Sequence, residues 1–293
     1  MISPTFRLHA WLMQHKNHPT RGMPKLITAT FHHRVLRKYV GGIAWPTIIL
    51  AIASWAVYLG ALLLLYQQVL PLWAMVLIGS LCNFYSFTVL HEAVHENIEG
   101  SGRGGIVTEA IGWLSGAMFL APFRPFRIIH LTHHQHTNVP DKDPDYWVAS
   151  PSKVSSLLRC LTIYPHYLYM FIFKLDHKDT WFARDLAVII AYWVGVIALC
   201  ATPLQDLAVY GIIAPTFLGT GLTAYLFDWL PHHPHQERSL AKHTRNYLGK
   251  TWNIILAGQN MHQLHHANPR IPFYRYQPAF YAALDKKQAV SDL

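Results

Sequence analysis

Twelve of the twenty histidines in this 293-residue chain fall in four short clusters. They are His91-Glu-Ala-Val-His95, His130-Leu-Thr-His133-His134-Gln-His136, His232-His233-Pro-His235 and His262-Gln-Leu-His265-His266. On a helix, residues three and four apart share a face. His91 with His95, His130 with His133 and His134, and His262 with His265 and His266 are therefore expected to point together. Neutral imidazole suits zinc, copper, iron and nickel. One zinc takes about four ligands, so three or more such faces brought together would hold enough nitrogen for two ions.

A lone HxxxH on a helix is usually not a metal site; HxxHH occurring twice beside an HxxxH is what points to metal. Eight histidines outside the clusters (His9, His15, His18, His32, His33, His166, His177 and His243) are expected on a solvated or interfacial surface. His136, His233 and His235 are read as polar neighbours of a site rather than ligands. Glu92 and Glu96 interleave with the first cluster, and either orient imidazoles as acceptors or lie on a solvated helix face. Cys82, Cys160 and Cys200 form no CxxC pair, so neither a disulfide frame nor a thiolate metal site is expected.

The elements that must position these residues are apolar. The chain is 52% hydrophobic and 13% charged, against roughly 25% charged in an ordinary soluble domain. Its excess of 24 Lys and Arg over 15 Asp and Glu could suggest nucleic acid, but a charge-poor, aromatic-rich chain is not the composition of a polyanion binder. From Gly41 to Leu90, fifty residues carry no Asp, Glu, Lys, Arg or His. About 20 apolar residues cross the hydrocarbon core, so this stretch predicts two spans, 43–66 and 69–90, turning at Gln67 and Gln68. A second pair is predicted at 187–204 and 207–227, turning at Gln205 and Asp206. In lipid every backbone polar group must be satisfied internally, so these segments are expected to be helices. The fold class is all-α: four transmembrane helices as two hairpins, with interfacial helices and a His-rich cap (91–186 and 228–293).

Residues 1–40 carry seven basic residues and no acidic one, and neither turn between paired spans contains Lys or Arg. All 24 basic residues then lie on one face, which the positive-inside rule makes cytoplasmic. The expected protein is multi-pass, with both termini and the histidines on the cytoplasmic side of a bacterial inner membrane. The division is a basic segment 1–40 and one domain over 41–293. The basic run lacks a cleavable apolar core, so no signal peptide is expected. The segments 106–122 and 157–175 are expected to be interfacial or re-entrant.

Three of the clusters, read as HEAVH, HLTHH and HQLHH between two transmembrane hairpins, resemble the histidine boxes of the integral-membrane fatty acid desaturase and hydroxylase superfamily. The likeness covers roughly residues 40–280. It extends to His134-Gln-His-Thr-Asn138 with the Asp143-Pro-Asp145 turn, and to the tail His265-His266-Ala-Asn-Pro-Arg-Ile-Pro-Phe-Tyr274, where Ala267 and Asn268 depart from the family pattern. Phe227-Asp-Trp-Leu-Pro-His-His-Pro-His235 is similar to bacterial members near the carotenoid ring hydroxylases. The resemblance implies two iron ions held by His91, His95, His130, His133, His134, His262, His265 and His266, with His232 from the end of the fourth span, and Asp228 meeting metal through water. It implies O2 as co-substrate, a lipid substrate drawn from the bilayer, and an external ferredoxin-, rubredoxin- or cytochrome-like electron donor attracted to the basic face.

The activity expected from this likeness is oxidation of a lipid C–H bond, with fatty acyl desaturation leading. Carotenoid ring hydroxylation and decarboxylation of a fatty acid to a terminal alkene share the same chemistry. A His-rich metal transporter would place ionisable residues inside its spans, whereas these flank them on one side. A membrane zinc hydrolase would need fewer histidines and a defined general base.

Overall fold

The computed structural model describes residues 26–27, 31–100, 104–176 and 179–284. His9, His15, His18 and His177 lie outside the described residues. Strand pairing among the described residues is a two-residue antiparallel pair, β1 (Leu26–Ile27) with β2 (Asn246–Tyr247), and an isolated antiparallel bridge between Phe31 and Leu284. The other described elements that position the site are helical.

A short α1 (His33–Leu36) leads to α2 (Trp45–Tyr66), whose second residue, Pro46, tolerates the first turn because its missing N–H has no helical partner there. Helix α3 (Leu72–Val94) starts after Pro71. It begins later than position 69 because proline cannot extend a helix on its N-terminal side, and it continues past Leu90, so His91 is helical and His95 caps the end. Next come α4 (Ile106–Ala117), α5 (Phe123–His136), α6 (Lys153–Leu161) and α7 (Ile163–Tyr169) with a π turn over Met170–Lys174. Helix α8 (Phe182–Cys200) begins five residues before position 187. Its first turns include the fully buried Asp185, paired with Arg124 of α5 and with Arg184, which removes the penalty of an unpartnered charge.

The last apolar stretch is α9 (Ala214–Thr223), lengthened by π turns at Leu207–Ile213 and Ala224–Trp229 into a span of 23 residues. Thus α2, α3, α8 and residues 207–229 are the four described helices long and apolar enough to cross a membrane. Ile49, Ile52 and Leu63 of α2, and Ile190, Val194 and Ile197 of α8, are exposed, as expected of surfaces meeting lipid rather than water. Against one another, α3 and α9 pack through small residues. A Cβ on Gly219 would come 2.7 Å from the Asn83 side chain, and one on Gly79 would come 2.8 Å from Pro215. Asn83 in turn donates to the Met118 carbonyl at 2.8 Å, tying α3 to the loop before α5.

The remaining elements, α10 (Lys250–Ile255), α11 (His262–Ala267) and α12 (Tyr276–Ala283), close the end at which α3 and the fourth span stop. Gly258, at φ +76°, turns the chain into α11 with no room for a side chain: a Cβ would lie 2.5 Å from the Phe273 carbonyl oxygen.

Candidate metal centre

Four stretches of chain carry the imidazoles to one place. Helix α3 brings His91 and His95, α5 brings His130, His133 and His134, the end of the fourth span brings His232, and α11 brings His262, His265 and His266. Alignment of α11 depends on buried amides. Asn246 Nδ2 donates to Gln263 Oε1 at 2.8 Å, its Oδ1 accepts from the Leu264 N–H at 3.2 Å, and Asn260 Nδ2 donates to the Tyr247 carbonyl at 2.7 Å. Asn97 Nδ2 donates to the Pro269 carbonyl at 3.0 Å and so latches the end of α3 onto the loop after α11.

The nine histidines divide into two groups, not into three faces. His91, His95, His130, His134 and His265 form one; His133, His232, His262 and His266 form the other. Residues four apart stay together, as expected. The residue three apart does not: His133 leaves His130 and His134 for the second group, and His265 leaves His262 and His266 for the first. A spacing of three is 60° short of a full turn on an α-helix, enough to aim one ring at a neighbouring point.

Within each group the rings meet through Nε2. In the first, His91–His265 (3.0 Å), His95–His130 (2.9 Å), His134–His130 (3.0 Å) and His265–His134 (2.9 Å) are so placed. In the second, the pairs are His232–His262 (2.9 Å), His266–His262 (3.2 Å) and His133–His266 (3.3 Å). Two nitrogens each about 2.1 Å from one ion, at right angles, are about 3.0 Å apart. A neutral imidazole carries a single proton, and His133 commits its own to Asp143, its Nδ1–H donating to Oδ1 at 2.8 Å. His265 Nδ1 likewise faces the Tyr276 hydroxyl at 2.9 Å. Both rings are therefore oriented through Nδ1 with Nε2 turned inward, and so many imidazole nitrogens converging on two points suit a cation better than hydrogen bonds alone.

Electrostatics agree with that fit. Burial, reinforced by neighbouring imidazoles, pulls His130, His134, His232, His262, His265 and His266 well below the usual histidine range, and His95 down to about 3. These rings are neutral at neutral pH, the state a metal requires. His133 is the exception: burial lowers it, but Asp145 and Asp143 outweigh burial and hold it up at about 9. The carboxylates that favour an imidazolium there would equally favour a metal-bound imidazole. The structure thus contains groups that could hold metal.

The other candidates scatter. Asp228 Oδ2 lies 3.1 Å from the Tyr167 hydroxyl oxygen and lines a pocket with His133 and His262. Glu92 is fully buried, not solvated, and Asn97 Nδ2 donates to its Oε1 at 3.3 Å, so that oxygen meets an amide rather than an imidazole. Glu96 stands in the turn after α3 at φ +58°, half-buried. His136 and His233 are half-buried outside both groups, and His235 is buried with its ring 6.1 Å from that of His232. His243 corrects the surface expectation: it is buried, its ring 4.9 Å from His266. Nothing in the spacing of an isolated histidine announces this, because the loop that carries it is folded over α11. His32 and His33 are exposed as expected, and His166 is half-buried against Trp147.

An apolar cavity lies beside the groups, among residues of α5, α7, α8 and the fourth span. Phe119, Leu168, Phe171 and Ile189 line its outer part, and Phe87, Phe126, Ile129, Tyr167 and Asp228 are common to it and to the pocket that touches His130, His133 and His262. Phe87 and Phe227 stack at its inner end with ring centroids 5.2 Å apart. Tyr167 also donates to Asp145 Oδ1 at 2.7 Å, placing one hydroxyl between two carboxylates beside His133.

Residues 67–290 match the fatty acid desaturase family. The chain is 24% identical over 245 residues to a chloroplastic omega-3 fatty acid desaturase of Glycine max, covering 68% of this chain and 51% of that protein. It is 25% identical over 278 residues to an sn-1 oleoyl-lipid 12-desaturase of Picosynechococcus, covering 81% and 75%. A temperature-sensitive sn-2 acyl-lipid omega-3 desaturase (ferredoxin) of Arabidopsis thaliana is 24% identical over 244 residues, covering 68% and 54%. The chain spans about half the length of the two chloroplastic relatives.

Proposed function

The chain belongs to the fatty acid desaturase family, and from that premise we propose that it is an O2-dependent diiron oxidoreductase that desaturates an acyl chain of a membrane lipid. The observation that carries this reading is the apolar cavity that shares Phe87, Phe126, Ile129, Tyr167 and Asp228 with the pocket lined by His130, His133 and His262. The ligands proposed are His91, His95, His130, His134 and His265 for one iron, and His133, His232, His262 and His266 for the other. Two irons held there would supply the oxidising power that no side chain has toward an unactivated C–H bond.

The protein's own part is positioning and exclusion. Phe87, Phe126 and Phe227 form an aromatic collar where a chain would meet the histidines, filling the space water would otherwise take. Asp143 and Tyr276 fix the rings of His133 and His265 so that each Nε2 faces inward. Tyr167 holds Asp145 and Asp228 in a hydrogen-bonded set beside His133, where Asp228 is suited to orient a water. In the balanced reaction a –CH2–CH2– unit becomes –CH=CH–, and its two hydrogens, with two electrons and two protons, convert O2 to two waters.

The electrons come from an external donor. A ferredoxin-like carrier is favoured by the net charge of +9 and by the relative whose name includes ferredoxin. By the positive-inside rule, the histidine end faces the cytoplasm of a bacterial inner membrane, and residues 41–293 act as one desaturase-like domain. Lipid profiling of cells expressing the wild type and His265→Ala tests the reading. New acyl double bonds are expected with the wild type only; hydroxylated rings or terminal alkenes instead would replace desaturation, and no oxidised lipid at all would reject it.

A further inference from the structure

Helix α7 and the π turn behind it form a partition with two unlike faces. Tyr164, Tyr167, Leu168 and Phe171 line the apolar cavity. Pro165, His166, Tyr169 and Met170, spaced between them on the other side, line a separate open cleft of about 640 Å³, together with Trp147, Arg159 and Lys174. That volume lies in the range of pockets that take small molecules.

The cleft is charged and aromatic where the cavity is apolar. Arg159 Nη1 donates to the carbonyls of Trp147 and Ala149 at 3.2 and 2.7 Å, which holds the guanidinium against the Trp147 ring, 5.1 Å from its centroid. Lys174 Nζ sits 5.7 Å from the Tyr169 ring centroid. His166 stacks on Trp147 with centroids 4.6 Å apart; burial chiefly, and Arg159 beside it, hold it down at about 4, so it is a neutral ring. Two carboxylates also line the cleft, but Asp143 is fully engaged. Its Oδ1 accepts from His133 and from the Asp145 N–H, and its Oδ2 from the Asn138 N–H. That leaves Asp141 to meet a hydroxyl or amino group.

Depth in the membrane identifies the ligand. Helix α6, which carries Arg159, exposes Val154, Leu157, Leu158 and Leu161, and Phe173 of the π turn is exposed beside them. A helix with such an apolar face lies in the plane of the membrane surface, and tryptophan and tyrosine collect at the level of lipid headgroups. The cleft therefore opens where phosphates are dense.

We propose that this cleft is a binding site for the headgroup of a bilayer glycerophospholipid, with its phosphate between Arg159 and Lys174. A lipid seated there leans on the helix whose opposite face lines the substrate cavity. The assignment does not depend on the reaction catalysed, and product profiling reports on that separately.

The test titrates the full-length protein in detergent with phosphatidylglycerol, with diacylglycerol of the same acyl chains, and with glycerol 3-phosphate, reading bound ligand by native mass spectrometry. Phosphatidylglycerol is expected to bind at least tenfold more tightly than diacylglycerol, and Arg159→Gln with Lys174→Gln to abolish that difference. Because Arg159 also holds two carbonyls, the exposed Lys174→Gln alone repeats the test without that structural role, and a loss of at least threefold is expected. Equal binding of the two lipids by the wild type, or undiminished preference in both variants, overturns the proposal. Glycerol 3-phosphate binding as tightly as phosphatidylglycerol also overturns it, since the site would then serve a soluble phosphate.

Discussion

His133 is held from both sides: its Nδ1–H donates to Asp143 across 2.8 Å, while its Nε2 lies 3.3 Å from Nε2 of His266. The residue that departs from its own helix neighbours to join the second group is thus the one clamped by a carboxylate. Partners of this kind set ring orientation and basicity, and losing one typically costs 10–100-fold in metal affinity. Asp143→Asn should weaken metal retention by about that factor at one of two sites. Iron titration of the purified variant checks this, and two undiminished sites would show the clamp to be purely structural.

The split into two groups predicts separable losses. With about four ligands needed per ion, the double change His91→Ala with His265→Ala, which leaves three histidines in the first group, should empty it, and His266→Ala, which leaves three in the second, should empty that one, each leaving roughly one ion per chain. Either change should remove oxidation while the protein still inserts. Metal analysis after membrane isolation distinguishes this from a single shared site, which either substitution would empty altogether.

Stripping the metal should lower the melting temperature without altering helix content. The nine histidines come from four stretches of chain, so ions bound only by the folded state stabilise by mass action, whereas the four spans are held by lipid or detergent. Circular dichroism before and after chelation reads both quantities, and a melting temperature unmoved by chelation would argue against bound metal.

In the metal-free protein, acid should destabilise. His95 is held at about 3, and His166, His235 and His243 at about 4, chiefly by burial. The unfolded chain takes up protons at these positions below the ordinary value of about 6.5, and the folded chain does not, so stability falls as pH drops from 6.5 toward 4. His133 works the other way. Raised to about 9, it contributes stability below 6.5 that is lost as pH rises through 9. Thermal melts from pH 4.5 to 9.5 should decline at both ends, and His166→Gln should blunt the acid limb.

Packing between α3 and α9 predicts one further cost. Gly219→Ala would push a methyl to 2.7 Å from Asn83, displacing the bond that ties Asn83 to Met118. Overpacking of this sort costs about 1–3 kcal/mol, readable as a lower melting temperature, whereas alanine at Gly60, which has open space, should be silent.

Much of this was written in local patterns. Fifty residues without a charge can only be stable as apolar helices in lipid, and a spacing of four on a helix brings two imidazoles together whatever surrounds them, as His91 and His95, His130 and His134, and His262 and His266 do. The edges of the spans were less legible, because Pro71 delays one helix and buried Asp185, paired with half-buried Arg124, lies in the early turns of another. What only the tertiary structure decided is where the residues three apart go. His133 and His265 exchange groups because each ring points at the space between two helices, and which group occupies that space depends on how α5 and α11 cross. The same holds for His243, covered by a loop folded onto α11, for Glu92, buried against Asn97, and for the two faces of α7. A sequence determines periodicity along one chain; the meeting point of four chain segments is a property of their packing.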